Sequence, residues 1–137
     1  MVGPVDNFRI SLDIVGDDVD PDQVSSMLGA PPTTAHRKGD AIHGRDGKLR
    51  RHASSGQWSI EAIMDGADDF NVTLSKILET LTDDLDIWRQ LSERFDTSFF
   101  CGVFLSDSNR GFTISAELMS ALGERGLDVG LDIYGPE

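Results

Sequence analysis

Nine consecutive residues, SFFCGVFLS from Ser98 to Ser106, are apolar on both sets of alternate positions. Phe99, Cys101, Val103 and Leu105 make one set, and Phe100 and Phe104 belong to the other. A strand apolar on both sides reads as central in a sheet, covered on at least one face and partly on the other. The rest of the chain must therefore supply further strands and a helical layer.

Two-residue alternation marks three more strands. In FRISLDIV, Phe8, Ile10, Leu12 and Ile14 alternate with Arg9, Ser11 and Asp13. In QWSIEAIM, Trp58, Ile60, Ala62 and Met64 share one side, although Ile63 interrupts the polar side of Gln57, Ser59 and Glu61. In LDVGLDIY, Leu127, Val129, Leu131 and Ile133 point inward, with Asp128, Asp132 and Tyr134 outward. Each reads as a half-buried strand.

Helices lie between them. Asp20 caps a helix over Pro21 to Leu28, Pro21 suits its first position, and Gln23 reaches back in a capping box. Gly29 ends that helix and Pro31–Pro32 prevent its return. From Phe70 to Phe95, Leu74, Ile77, Leu78, Leu81, Leu85, Trp88, Leu91 and Phe95 keep a spacing of three and four, the stripe of a helical layer. LTDDLD offers a fresh cap at Thr82 or Asp83, so one helix or two consecutive helices both fit. The loop DSNRG follows the apolar strand, and Ser115 then caps a helix carrying Leu118, Met119, Ala121 and Leu122, stopped by Gly123. A shift of 94 residues lays Val24, Ser26, Leu28 and Gly29 onto Leu118, Ser120, Leu122 and Gly123. Duplication and coincidence both explain that echo; duplication implies two related strand-helix-strand halves in a ferredoxin-like fold.

These elements fit one domain over residues 1–137: α+β, with an antiparallel or mixed sheet of four to six strands and helices mainly on one face. The chain holds no apolar run of about 18 residues, and its start lacks the plan of a secretory signal. Cys101 stands alone, so no internal disulfide is available. A cytoplasmic protein without membrane association is expected. The formal net charge of −12 repels phosphate backbones over most of the surface, which disfavours nucleic acid and favours cationic partners.

Against that balance, Thr33 to Gly56 is basic. Arg37, Lys38, Arg45, Lys48, Arg50 and Arg51 face only Asp40 and Asp46, giving this segment +4 and the remainder −16. His36, His43 and His52 lie there too. It reads as a loop or irregular hairpin. His36, Arg37, Lys38, Gly39, Asp40, Arg50 and Arg51 are candidates to hold an anion through guanidinium forks and backbone N–H groups. The simpler reading pairs these cations with the acidic body of the same chain. The histidines stand farther apart than the close ligand pairs of structural zinc sites, and neither a metal nor another cofactor is expected.

Other chemistry finds little support. Cys101 lies in the most apolar strand with no cationic neighbour to lower its pKa. Ser54, Ser55, Ser106 and Ser108 lack a nucleophile-elbow setting. Trp58 and Trp88 suit core packing. The outward residues Asp13, Glu61, Asp128, Asp132 and Tyr134, with Arg9, form a second candidate surface if their strands are neighbours. Such a face is acidic and suits a partner of opposite charge.

The order of motifs resembles a bacterial family called domain of unknown function 4279. The resemblance rests on DPDQVSSMLGAPPTTAHRKGD, a variable loop into GQWSI, paired helices, and GFTISAELMSALGERGLDVGLDIY. Asp20, Pro21, Leu28, Gly29, Pro32, Lys38, Gly39, Asp40, Trp58 and Tyr134 match its recurrent pattern. It implies a small α+β protein and supplies no catalytic residues.

The leading expectation is a non-enzymatic binding protein, monomer or homodimer, that uses its acidic body and basic loop to orient a protein partner. In a specific version, by analogy, it is an immunity-type protein that neutralises a cationic toxin. The alternative is a binder of, or an enzyme acting on, an anionic small molecule at the basic loop, with Asp40 or His36 moving protons.

Overall fold

The computed structural model describes residues 7–65, 69–106 and 111–135, without the side chains of Met64 and Asp65. Residues 107–110, most of the expected DSNRG loop and including Ser108, lie outside the described residues.

The first strand, β1 (Asn7–Gly16), keeps the expected alternation, with Phe8, Ile10, Leu12 and Ile14 buried. It leads into α1 (Pro21–Leu28), where Asp20 accepts from the N–H of Asp22 and Gly29 takes the left-handed conformation that a side chain would strain. The capping-box return from Gln23 is not made; its Oε1 instead accepts from Arg94 Nη2 at 3.4 Å. Three short strands follow, β2 (Thr34–His36), β3 (Ala41–His43) and β4 (Leu49–His52), before the long β5 (Gly56–Asp65). Gly56 opposes Gly16, and a Cβ on Gly56 would lie 2.9 Å from the Gly16 carbonyl oxygen, so only glycine fits there.

The long helical stretch is two helices, α2 (Phe70–Glu79) and α3 (Leu85–Arg94). The second is capped by Asp84 rather than by Thr82 or Asp83. The linker is fastened from two sides: the Thr82 N–H reaches Leu28 O at 2.8 Å, and the buried Trp88 indole donates to Thr82 O. Then come β6 (Asp96–Phe104), α4 (Ala116–Glu124) and β7 (Asp128–Tyr134). Ser115 caps α4 as expected, but Gly123 lies inside the helix, which runs on to Glu124.

The sheet is mixed and five-stranded, in the order β2-β5-β1-β6-β7. β1 is antiparallel to β5 and β6, β2 is antiparallel to β5, and β6 is parallel to β7. The two strand-helix-strand units therefore differ. β1 and β2, joined by α1, run parallel with β5 between them, whereas β6 and β7, joined by α4, are parallel neighbours. β2, β5, β1 and β6, with α1 after β1 and α2 and α3 after β5, have the order and directions of a ferredoxin-like sheet, which β7 extends. The residues of the echo lie at the ends of α1 and α4, where Gly29 caps its helix and Gly123 lies inside its own.

The four helices of the described residues pack on one face. Val24 and Leu28, Phe70, Leu74 and Leu78, Trp88 and Leu91, and Leu118 and Leu122 meet Phe8 to Ile14, Trp58, Phe99, Cys101 and Val103 in one core. Burying a large apolar side chain contributes about 1.5–3 kcal/mol, so this layer carries the stability. Cover runs short at the β7 edge. Leu131 and Ile133 share the face of Cys101 and Val103 yet stay exposed, contrary to the inward placement expected. No helix among the described residues lies on the other face of the sheet.

Candidate functional site

The register assembles the open face row by row. Glu61, Ser11, Phe100 and Gly130 stand abreast; the next rows hold Ile63, Arg9, Gly102 and Asp132 on one side, and Ser59, Asp13, Ser98 and Asp128 on the other. Phe104 and Tyr134 are also in register. The expected acidic residues Asp13, Glu61, Asp128 and Asp132, with Tyr134 and Arg9, thus share one face. With Asp96, the described side chains of this face include five carboxylates around one arginine.

Asp13 is the organised part of this face. Its Oδ1 accepts from Ser11 Oγ, from Ser59 Oγ at 2.7 Å, and from Gln57 Nε2 at 3.4 Å. Gln57 also donates to Ser59 Oγ at 2.9 Å. Ser59 is fully buried despite standing on the open side, and this network satisfies its hydroxyl. Asp132 accepts from the Tyr134 hydroxyl at 2.6 Å, and that hydrogen bond and the carboxylate's charge push the phenol above its usual pKa.

Exposed apolar groups interrupt the acids. Ile63 is 80% exposed and Phe100 46%. Tyr134 stacks on Phe104 with ring centroids 5.0 Å apart, and Arg9 lies over the other ring system at 5.8 Å from the Phe104 centroid. Arg9, Ser11, Glu61, Ile63 and Phe100 line a depression of about 320 Å³. Two larger grooves, of about 550 and 510 Å³, run between α2 and α4. They are shallow troughs between helices, and Arg125 in the first turns its Nη1 back to Ala121 O.

The basic segment has a different architecture. Arg37 Nη2 lies 2.9 Å from Asp20 Oδ1 and 3.3 Å from Asp22 Oδ2, and Lys38 Nζ lies 3.1 Å from Asp17 Oδ2. Asp40 accepts from the Arg37 N–H at 2.8 Å, Gly39 N–H reaches Ala53 O, and His52 Nδ1 lies 3.0 Å from Gly39 O. The base of the segment is thereby tied to the acidic turn before α1. Desolvation opposes ionisation of Asp20, but the N–H groups of Asp22 and Gln23 and the Arg37 guanidinium outweigh it and hold this carboxyl below its usual range. Asp20 in turn raises the pKa of Arg37.

Beyond that base, β3 and β4 form an irregular two-stranded hairpin whose register shifts between Ile42 and His43. Arg50 and Arg51 are consecutive and exposed on β4, at the point where the register shifts. Of the candidates, Arg37 and Lys38 pair with the acidic turn and the start of α1, while Arg50 and Arg51 stand on the hairpin. His36 is on β2, across from Gln57, while His43 and His52 belong to the hairpin. Among the described residues, no three histidine, cysteine or acidic side chains come together as a metal ion would require. Cys101 is buried, and burial pushes its thiol up to about 11.

Phe100, Ser59 and Gln57 were not among the expected site residues. Their alternation with Phe99, Trp58 and Ile60 was readable. That the apolar Phe100 faces open space follows only from the location of all the helices on the opposite side.

No helix among the described residues is long and apolar enough to cross a membrane. No curated protein and no solved structure matches the chain. The family model described as "Domain of unknown function (DUF4279)" matches residues 6–136, nearly the whole chain, and the protein belongs to that family.

Proposed function

We propose that this protein is a non-enzymatic binding module whose open sheet face receives a positively charged protein surface. The carrying observation is the composition of that face: among the described side chains, five carboxylates and one arginine surround the exposed Phe100, Ile63 and Tyr134. Apolar contact supplies affinity in such an interface, while opposite charge steers the encounter and sets orientation. An immunity-type role in the cytoplasm, masking the basic surface of a nuclease, is the specific form this chemistry suits. The alternative, an anion held at the basic hairpin, has less support. Arg37 and Lys38 would first have to leave Asp17, Asp20 and Asp22.

The test compares two charge-neutralised proteins in retaining a partner from an extract of the source cells. Glu61→Gln/Asp128→Asn/Asp132→Asn alters the face, and Arg50→Gln/Arg51→Gln alters the hairpin. Retention should fall at least about tenfold for the face variant and stay within about twofold for the hairpin variant, with salt weakening the wild-type complex. Loss confined to the hairpin variant, with the face variant folded and fully active in binding, would sink the reading.

A further inference from the structure

The depression above Ser11 gives the open face a local chemistry of its own. Ser11 is a small residue in register between two large ones, Glu61 on β5 and Phe100 on β6, which stand as walls on either side of it. Ile63 and Arg9 close the next row. Ser11 Oγ gives its proton to Asp13 Oδ1, so its remaining lone pairs can only accept. Among the described residues the Glu61 carboxylate has no ion pair and no hydrogen-bond donor, while Phe100 offers part of its ring to solvent. Arg9 also lines the depression, but its guanidinium lies over Phe104 and makes no ion pair with Glu61.

Resting on the reading that a cationic protein surface docks here, we propose that this depression is the anchor pocket for one arginine side chain of the partner. Two carboxylates, Glu61 and Asp13, outweigh the single charge of Arg9, so an anionic group is disfavoured. An aliphatic anchor would leave Glu61 covered and unpaired, which is costly. An arginine satisfies each wall: its plane stacks on Phe100, its fork donates to Glu61 and Ser11 Oγ together, and its stem lies along Ile63. Lysine brings a compact, strongly hydrated charge with no plane to stack, and so fits less well. A space of about 320 Å³ holds one such side chain with accompanying water.

The probes are three blocked tripeptides, acetyl-Gly-X-Gly-amide with X as arginine, lysine or glutamine, titrated into the ¹⁵N-labelled full chain. The arginine peptide should shift the amides of Ser11, Glu61 and Phe100 saturably, binding about threefold or more tighter than the lysine peptide, with no saturable shift from glutamine. Glu61→Gln should weaken the arginine peptide about tenfold and Phe100→Ala about fivefold, while Asp132→Asn changes it less than about twofold. Equal binding of lysine and arginine, or an unchanged affinity in Glu61→Gln, overturns the anchor. Shifts centred instead on Asp128 and Asp132 overturn the anchor and leave the open-face reading standing. No movement of any open-face amide with either cationic peptide overturns both.

Discussion

Phe99 and Phe100 are neighbours with the same side chain and opposite fates. Phe99 has no exposed surface, while Phe100 leaves nearly half of its surface to solvent. The difference belongs to the sheet rather than to either residue, because α1, α2, α3 and α4 all pack on the side to which Phe99 points. On one face, apolar residues hold the fold; on the other, the same residue types sit among carboxylates and are available for contact. The basic hairpin differs from both, since Arg37 and Lys38 at its base spend their charge on the acidic turn beside α1.

The contrast breaks most visibly in stability. Phe99→Ala should cost about 3–5 kcal/mol in urea unfolding, through lost burial and a residual cavity. Phe100→Ala should cost less than about 1 kcal/mol by the same measurement, as expected of an exposed position. Comparable losses would mean that both faces are covered. Cys101, on the covered face, sharpens the comparison chemically. With its thiol at about 11 against an ordinary 9.0, the thiolate fraction near neutral pH is reduced about a hundredfold. Alkylation of the native chain at pH 8 should therefore be at least that much slower than alkylation in denaturant, and equal rates would show an open route to the thiol.

A smaller effect is expected where the open face is organised. Ser59→Ala removes one donor to Asp13 from a buried position and should cost about 1 kcal/mol, whereas Ser98→Ala, one strand across from Asp13, should cost nearly nothing. Equal losses would count against the Asp13 network. The smallest effect belongs to the hairpin base. Arg37→Gln should lower the melting temperature slightly at low salt, and the difference should vanish at high salt. Because the Asp20 carboxyl is held below its usual pKa in the folded chain, its contribution is present above the usual carboxylate range and is lost as pH falls through the folded value. The variant and wild type should thus converge in acid; a gap that widens there would contradict the pairing.

Much of the fold was legible because alternation and helical spacing are written directly in side-chain type. The odd-numbered residues of FRISLDIV and the even-numbered acids of LDVGLDIY were readable as outward, and so the acidic face was too. Strand direction was not, because periodicity is the same for a parallel and an antiparallel neighbour, and so it does not say that β6 is antiparallel to β1 and parallel to β7. Exposure of apolar residues was equally hidden. Phe100, Leu131 and Ile133 carry no mark that says whether anything covers them. Arg37 and Lys38 were readable as cations, but their acids lie 15 to 21 residues back, a distance closed only by the packing of α1 against β5.

The most direct measurement is hydroxyl-radical footprinting of the protein with and without its retained partner. Ile63, Phe100 and Tyr134 report the open face, Leu49 the hairpin and Met119 the helical layer, and all five are exposed in the chain alone. The expected result is protection of Ile63, Phe100 and Tyr134 with Leu49 and Met119 unchanged. Protection of Leu49 while Phe100 stays fully reactive would contradict the assignment of the open face as the binding surface.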